Sequence, residues 1–474
     1  MRRAECLPLV AQSPNGIING LVSDPASAAV VGAEIVAVND VTGVQYTTRT
    51  NSEGIYLLPS LPPGPYRLQV SRVGFKTIIK PDIILSVADA LSINFTLPVG
   101  GLHEIVTVEG GAPLVNTESA AVSTVIDRKF VESLPLNGRS FNTLLQLTPG
   151  VTIAPTSGAA ATGQFSIAGQ RTDANNFVVD GVSANFGVTG GLLPGQSGTG
   201  TSQAFSALGS TSSLVSVEAL HEFRIETSTF APEFGRSPGG QIVLNTRAGM
   251  NAFHGGLYEY FRNDALDAND WFANAAGKPK AAERHNDFGG FLGGPISKDK
   301  TFFFLSYEGA RLRLPQTQGI QLPSEYARTQ ASVATAPLLD AYPQPDDRTV
   351  TPGAYTSPFT GVWSNRATLN AGSVRIDHTF SDRFSVFGRY NDAPSETANR
   401  VFGLSMLETV AVNTRTLTLG ANMAFGNQTS NAELVTSRDR VSGTSALPHQ
   451  VGNLDAQDPL GPRKPAVPFL IASR

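Results

Sequence analysis

The sequence is poor in cysteine and charge and has no long apolar run. Its one cysteine, Cys6, excludes a disulfide scaffold and any cysteine-based metal site. No stretch of about 18 consecutive apolar residues occurs, so no membrane-crossing helix is expected. That absence does not bear on a β-barrel, whose strands alternate lipid-facing and lumen-facing residues and so average to neutral hydropathy. The mean hydropathy of -0.05 is compatible with one. Charged residues make up only 16% and the net charge is -4, which leaves no basic footprint for nucleic acid. Catalytic signatures are missing too. Gly158 to Gly163 is followed by Gln164 rather than a phosphate-reading lysine, and the six histidines form no HExxH pair. Asp377-His378 has no serine in a GxSxG elbow, and Asp264, Asp267 and Asp270 lack EF-hand spacing. No enzyme, metal or cofactor is expected.

What is present is turn chemistry. Glycine (47) and proline (31) accompany an ordinary 41% of hydrophobic residues, a β-rich profile in a chain of 474 residues, long enough for several domains. Residues 1–14 hold two arginines and a short apolar stub, Leu7 to Ala11, which is too short for a signal h-region. They read as the tail of a signal peptide or a disordered start, with a longer leader expected upstream. Residues 15–98 read as a β-sandwich of about seven short strands. Tyr66, Leu68 and Val70 alternate with Arg67, Gln69 and Ser71, giving one buried and one wet face. Tyr56 and Tyr66 are read as packing residues; a carbohydrate-binding role would require aromatic rings exposed for stacking.

Residues 99–112 form a linker. Gly100-Gly101 and Gly110-Gly111 flank Leu102 to Glu109, within which Glu104, Ile105, Val106, Thr107 and Val108 are β-prone. Such a segment can add to the edge of a partner's sheet; it can equally be the last strand of the sandwich or a plain linker. Residues 113–247 read as a small mixed α+β domain. Phe141, Leu144, Leu145 and Leu147 make an apolar helical stripe that stops at Thr148-Pro149-Gly150. Phe177 to Val179 form a strand that turns at Asp180-Gly181, and Phe223 to Ile225 and Gln241 to Thr246 give two more.

Residues 248–474 change to longer alternating strands, with candidates at Phe253 to Arg262, Phe288 to Pro295, Phe302 to Arg311, Val374 to Phe380, Phe384 to Asn391, Arg415 to Met423 and Ala432 to Arg438. Val374, Ile376 and Phe380 alternate with Arg375, Asp377 and Thr379, the dyad repeat of a membrane barrel. Aromatics gather near the strand ends, as an interfacial girdle requires. Ser297 to Lys300 reads as a short turn and 315–365 as a long outer loop. These strands are too few for a large plugged barrel of about 22, and an open sheet would leave unpaired backbone groups in lipid. The expectation is an N-terminal part of a longer barrel chain.

The segments LPLNGRSF, LTPGV, GQR, VDG and FGRSPGGQI, in this order within 134–242, resemble the plug of TonB-dependent outer-membrane receptors of the Oar-like group. Residues 261–311 are similar to the first barrel strands of the same group, and NSEGIYLLPSLPPGPYRLQVSRVGF within 51–75 resembles a carboxypeptidase regulatory-like domain. The resemblance implies a mainly β chain: an N-terminal β-sandwich, a small α+β plug, and the first strands of an incomplete transmembrane antiparallel β-barrel. It implies an outer-membrane location with the sandwich in the periplasm, and energy-coupled uptake of a bulky ligand such as a siderophore, an oligosaccharide or a peptide. It implies the TonB complex as the partner of residues 104–108, outer-membrane lipid around the strands, and a structural role for Arg139, Arg171, Asp180 and Gly181 in the plug. A cell-surface carbohydrate-binding or adhesion protein built on the sandwich is the alternative.

Overall fold

The computed structural model describes residues 15–101, 105–107, 122–133, 142–153, 165–171, 174–188, 200–203, 215–228, 230, 238–340, 342–400, 407–425 and 430–446. Arg139, Glu104 and Val108 lie outside the described residues, as do the LPLNGRSF motif up to Phe141 and most of FGRSPGGQI.

The N-terminal strands are β1 (Gly16–Ser23), β2 (Glu34–Asn39), β3 (Gln45–Arg49), β4 (Ile55–Leu61), β5 (Gly64–Ser71), β6 (Thr77–Leu85), β7 (Ala90–Ser92), β8 (Phe95–Thr96) and β9 (Ile105–Thr107). They form two sheets, β4-β1-β7 with β8 beside β1, and β3-β2-β5-β6-β9. The strict alternation of β5 sends Tyr66, Leu68 and Val70 inward against Ile18, Ile35 and Leu85. Tyr56 and Tyr66 are 1% and 0% exposed, and their hydroxyls donate to the Ile93 and Pro62 carbonyls at 2.8 and 2.7 Å. Burial of each such side chain contributes about 1.5–3 kcal/mol, and the hydroxyl partners remove the cost of burying the polar tip. Neither ring is available for stacking on a sugar.

Next come β10 (Val122–Ile126), α1 (Arg128–Ser133), α2 (Asn142–Leu145), β11 (Val151–Ile153), β12 (Phe165–Ile167), β13 (Asn176–Val179), β14 (Val182–Ser183), β15 (Asn185–Val188), β16 (Gly200–Gln203), β17 (Leu220–Ser228) and β18 (Gln241–Thr246). The central sheet runs β10-β17-β18-β13-β14. Leu144 and Leu145 are buried in its core, whereas Leu147 is 55% exposed. The expected stripe is therefore shorter: α2 ends at Leu145 and the following turn swings Leu147 outward. Phe304, from the next region, packs into this core, so the small domain rests against the sheet that follows it.

That wall is β19 (His254–Asn263), β20 (Arg284–Ser297), β21 (Thr301–Pro323), β22 (Thr356–Ser381), β23 (Phe384–Arg400), β24 (Leu407–Phe425) and β25 (Ser430–Ala446), with α3 (Trp271–Ala275), α4 (Glu325–Thr329) and α5 (Ala336–Leu339) in its loops. Among the described residues these strands pair consecutively into one open seven-stranded sheet with β19 and β25 at its edges. Leu292, Leu305, Val374, Tyr390 and Leu417 stand opposite one another along one row of the outer face. Each is 39–47% exposed, a band suited to lipid. The intervening inward positions carry Phe304, Arg375, Arg389 and Thr418. The long loop expected at 315–365 is much shorter. β21 and β22 pair without interruption from Thr301↔His378 to Pro323↔Thr356. Thr, Gln and Ser are spread through both strands there, so the period-two alternation fades and the sequence hides the strand.

Candidate functional site

The turn Asp180-Gly181 has φ of 49° and 84°, the left-handed pair that a tight hairpin between β13 and β14 requires. This turn brings the Asp180 carboxylate, 1% exposed, to the end of β18. Thr246 donates to it from its N–H (2.9 Å) and its hydroxyl (2.9 and 3.0 Å). From the wall, Arg375 donates at 3.1 Å and Arg389 approaches to 3.9 Å. Arg375 is held in place by Asp377, which receives its Nε and Nη2 at 2.8–3.1 Å, and it lies over the Phe387 ring at 4.6 Å. Two carboxylates and two guanidinium groups thus balance in a largely buried setting. Buried charges persist only when paired in this way.

The next residue extends the anchorage. Arg247 stacks over Phe291 and Phe304 at 4.2 and 4.8 Å, and its Nη1 donates to the Glu218 carbonyl at 3.2 Å. Arg128, at the start of α1, pairs with the Glu218 carboxylate. His221 has a partly exposed side chain, and desolvation together with Arg247, Arg375 and Arg128 lowers it to about 4.

The sandwich docks on the opposite face of the same sheet. In β17, Phe223 and Ile225 face the core while Glu222, Arg224 and Glu226 are buried on the other side. Arg224 donates to the Val87 and Ala88 carbonyls (3.1 and 3.2 Å) and pairs with Asp89 at 2.8 Å. Val87, 0% exposed, donates its N–H to Glu222 at 2.6 Å. Burial pushes Glu222 up to about 8. A second contact joins the sandwich to the wall: Asn251 donates to the Val41 and Thr42 carbonyls at 3.3 and 2.6 Å. A cavity of about 330 Å³ remains at the junction, lined by Tyr46 and Pro62 to Pro65 from the sandwich, Asp180 and His221, and Arg375, Asp377 and His378 from the wall.

Of the predicted residues, Asp180 and Gly181 lie at the centre of this junction. Arg171 is exposed and contributes a turn bond, its carbonyl accepting from the Ala174 N–H at 3.0 Å. Ile105, Val106 and Thr107 are the edge strand β9 of the sandwich, parallel to Thr77, Ile78 and Ile79 of β6, with Val106 36% exposed. Arg375, Arg389, Glu222 and Arg224 were missed. The signal that could have found the first two is an arginine at an inward position between apolar outward ones. Among the described residues no group of His, Cys, Asp and Glu is placed to hold a metal.

Three family models match the chain in sequence order: a carboxypeptidase regulatory-like domain at 17–98, a TonB-dependent receptor plug domain at 115–240 and an outer membrane beta barrel domain at 245–334. The plug and barrel models together align residues 115–334 with the TonB-dependent receptors. It is similar to the TonB-dependent transporter Oar of Myxococcus xanthus, 29% identical over 288 residues, which are 58% of this receptor chain and 24% of that protein. The receptor chain thus spans about a quarter of the length of the curated relative it matches. Among solved structures it resembles the outer membrane transporter YddB from Escherichia coli, with a TM-score of 0.47 and 14% identity over 67% of this chain and 39% of that one. It also resembles the siderophore receptor PirA from Acinetobacter baumannii, with a TM-score of 0.38 and 13% identity over 70% and 46%. The Asp180 cluster is thus a contact between a receptor's plug and the inner wall of its outer-membrane barrel.

Proposed function

We propose that the chain is part of an energy-coupled receptor that carries a bulky ligand across the outer membrane. The observation that carries this reading is the buried cluster of Asp180, Arg375, Asp377 and Arg389, which latches the plug to the barrel wall. A plug fastened by ion pairs that are costly to separate blocks free diffusion, so passage requires work delivered from elsewhere. Residues 104–108 are the proposed handle, engaging the TonB complex by strand addition. With only three described residues paired at a sheet edge, Ile105 to Thr107 can leave the sandwich at small cost and pair with a partner's edge instead. In this reading the sandwich lies in the periplasm beneath the mouth of the barrel, with Tyr56 and Tyr66 as core rather than a sugar platform. That burial weighs against the adhesion alternative.

The test is a photo-crosslinker at Val106 in the full-length receptor, exposed to the periplasmic domain of TonB. A crosslink that disappears when residues 104–108 are deleted supports the reading. No crosslink, together with ligand-independent leakage through the wild-type protein, would point to a passive pore.

A further inference from the structure

The outward face of the wall carries a row of like charges that transport does not use. Arg284, Arg313 and Arg366 stand directly opposite one another on β20, β21 and β22. The uninterrupted pairing puts them on the same face as Leu292, Leu305 and Val374, eight residues nearer the periplasmic end on each strand. Like charges in opposed cross-strand positions destabilise a sheet, so three in a row favour a bound anion. Arg284 is partly satisfied by Asp264. The Arg313 and Arg366 side chains make no hydrogen bond or ion pair among the described residues, and Arg313 is exposed.

Their height is informative. Phe253, Phe303, Phe380 and Phe384 form the lower aromatic belt beside the short turns. From Phe303 to Arg313 a tilted strand climbs about 25 Å, the height of a membrane barrel's apolar band. Just below the arginines lie Phe288 and Tyr307, with ring centroids 6.4 Å apart, and Arg311 lies over Phe288 at 5.6 Å. Below these, Gly290 leaves a notch between Leu257 and Tyr307, walled by Leu292 and Leu305. Cations above an apolar notch at the outer surface match one kind of molecule, a phosphate above acyl chains.

We propose that Arg313 and Arg366, with Arg284 beside them, form a binding site for a phosphate-bearing lipid of the outer leaflet, one acyl chain lying in the notch at Gly290. The proposal rests on the sheet being a membrane wall and is independent of what the receptor transports. Guanidinium forks suit phosphate because they donate in pairs.

The test uses the full-length receptor extracted from outer membranes in mild detergent, with phosphate-bearing lipid retained per receptor counted by native mass spectrometry. Wild type is expected to retain lipid stoichiometrically. Arg313→Gln with Arg366→Gln should retain about tenfold less, and Arg313→Lys with Arg366→Lys an intermediate amount. Anomalous migration in unheated gels reports whether each variant holds a folded barrel. If the glutamine pair does not fold, rising salt applied to wild type should strip the lipid. Equal retention by the folded glutamine pair, salt-insensitive retention, or no phosphate-bearing lipid on wild type would each overturn the site. Release by millimolar inorganic phosphate would show a phosphate-only site and overturn the lipid assignment. A wild type that never migrates as a folded barrel would sink the membrane-wall reading beneath it.

Discussion

Asp180 accepts from Thr246 within the plug and from Arg375 across the plug–wall boundary, so one side chain closes both a turn and an interface. Removing it takes one of the two carboxylates out of a buried four-charge cluster, a loss of about 3–5 kcal/mol. Asp180→Ala in the full-length receptor is therefore expected to speed amide exchange in residues 176–183 and 241–246 by well over tenfold. Unchanged exchange there would show that the latch is not what holds the plug. The turn itself was legible, because Asp-Gly after a β-branched run is a strong local signal. Its partner was not: Arg375 lies 195 residues away, and no local pattern encodes a contact of that range. Arg171 illustrates the reverse, a residue singled out by its motif whose guanidinium faces solvent.

At the level of elements, β17 buries both faces, one in the plug core and one against the sandwich turn at Val87. Its Glu222 titrates near 8 rather than at the ordinary 4.5. The folded form therefore binds a proton more tightly than the unfolded one, and the contribution is fully present below pH 4.5 and is lost as pH rises towards 8. His221 acts oppositely: its folded value is lowered to about 4, so its share is lost as pH falls below about 6.5. Between pH 6.5 and 8 only Glu222 acts, and docking of sandwich on plug should weaken through that window. Proteolysis of the linker between them across pH reads this out, and Glu222→Gln should flatten the profile. A wild-type profile already flat from 6.5 to 8 would refute it. The existence of all seven wall strands was legible from period-two alternation; their lengths were not. Alternation is a signal of one apolar face, and it fades where β21 and β22 continue past the apolar row. The segment 104–108 was open to two readings, and β9 shows why: a short β-prone stretch at a sheet edge suits its own sandwich and a visiting sheet equally.

For the whole molecule, the β21–β22 hairpin runs ten residues beyond the arginine row, from Arg313 to Pro323, before α4 and α5 cap it. At strand rise that lifts residues 324–355 about 25 Å clear of the lipid. Val333, 96% exposed, is the natural reporter. In the full-length receptor, with Cys6 replaced if it is retained, Val333→Cys should react with a membrane-impermeant maleimide on intact cells, whereas Asp299→Cys in the opposite turn should react only after lysis. The reverse pattern would invert the topology. The three regions and their order followed from motif order and alternation; the docking of sandwich on plug and wall did not, because it depends on buried polar side chains scattered across three regions. The raised hairpin has one more consequence. Its ladder is made of main-chain bonds, which tolerate almost any side chain, so the exposed positions of residues 316–355 can change at little cost to folding, whereas Leu322, Ser324 and Arg328 are held by burial or hydrogen bonds. They are also what antibodies, phages and rival cells meet first, and this is where strains of the same species are expected to diverge fastest.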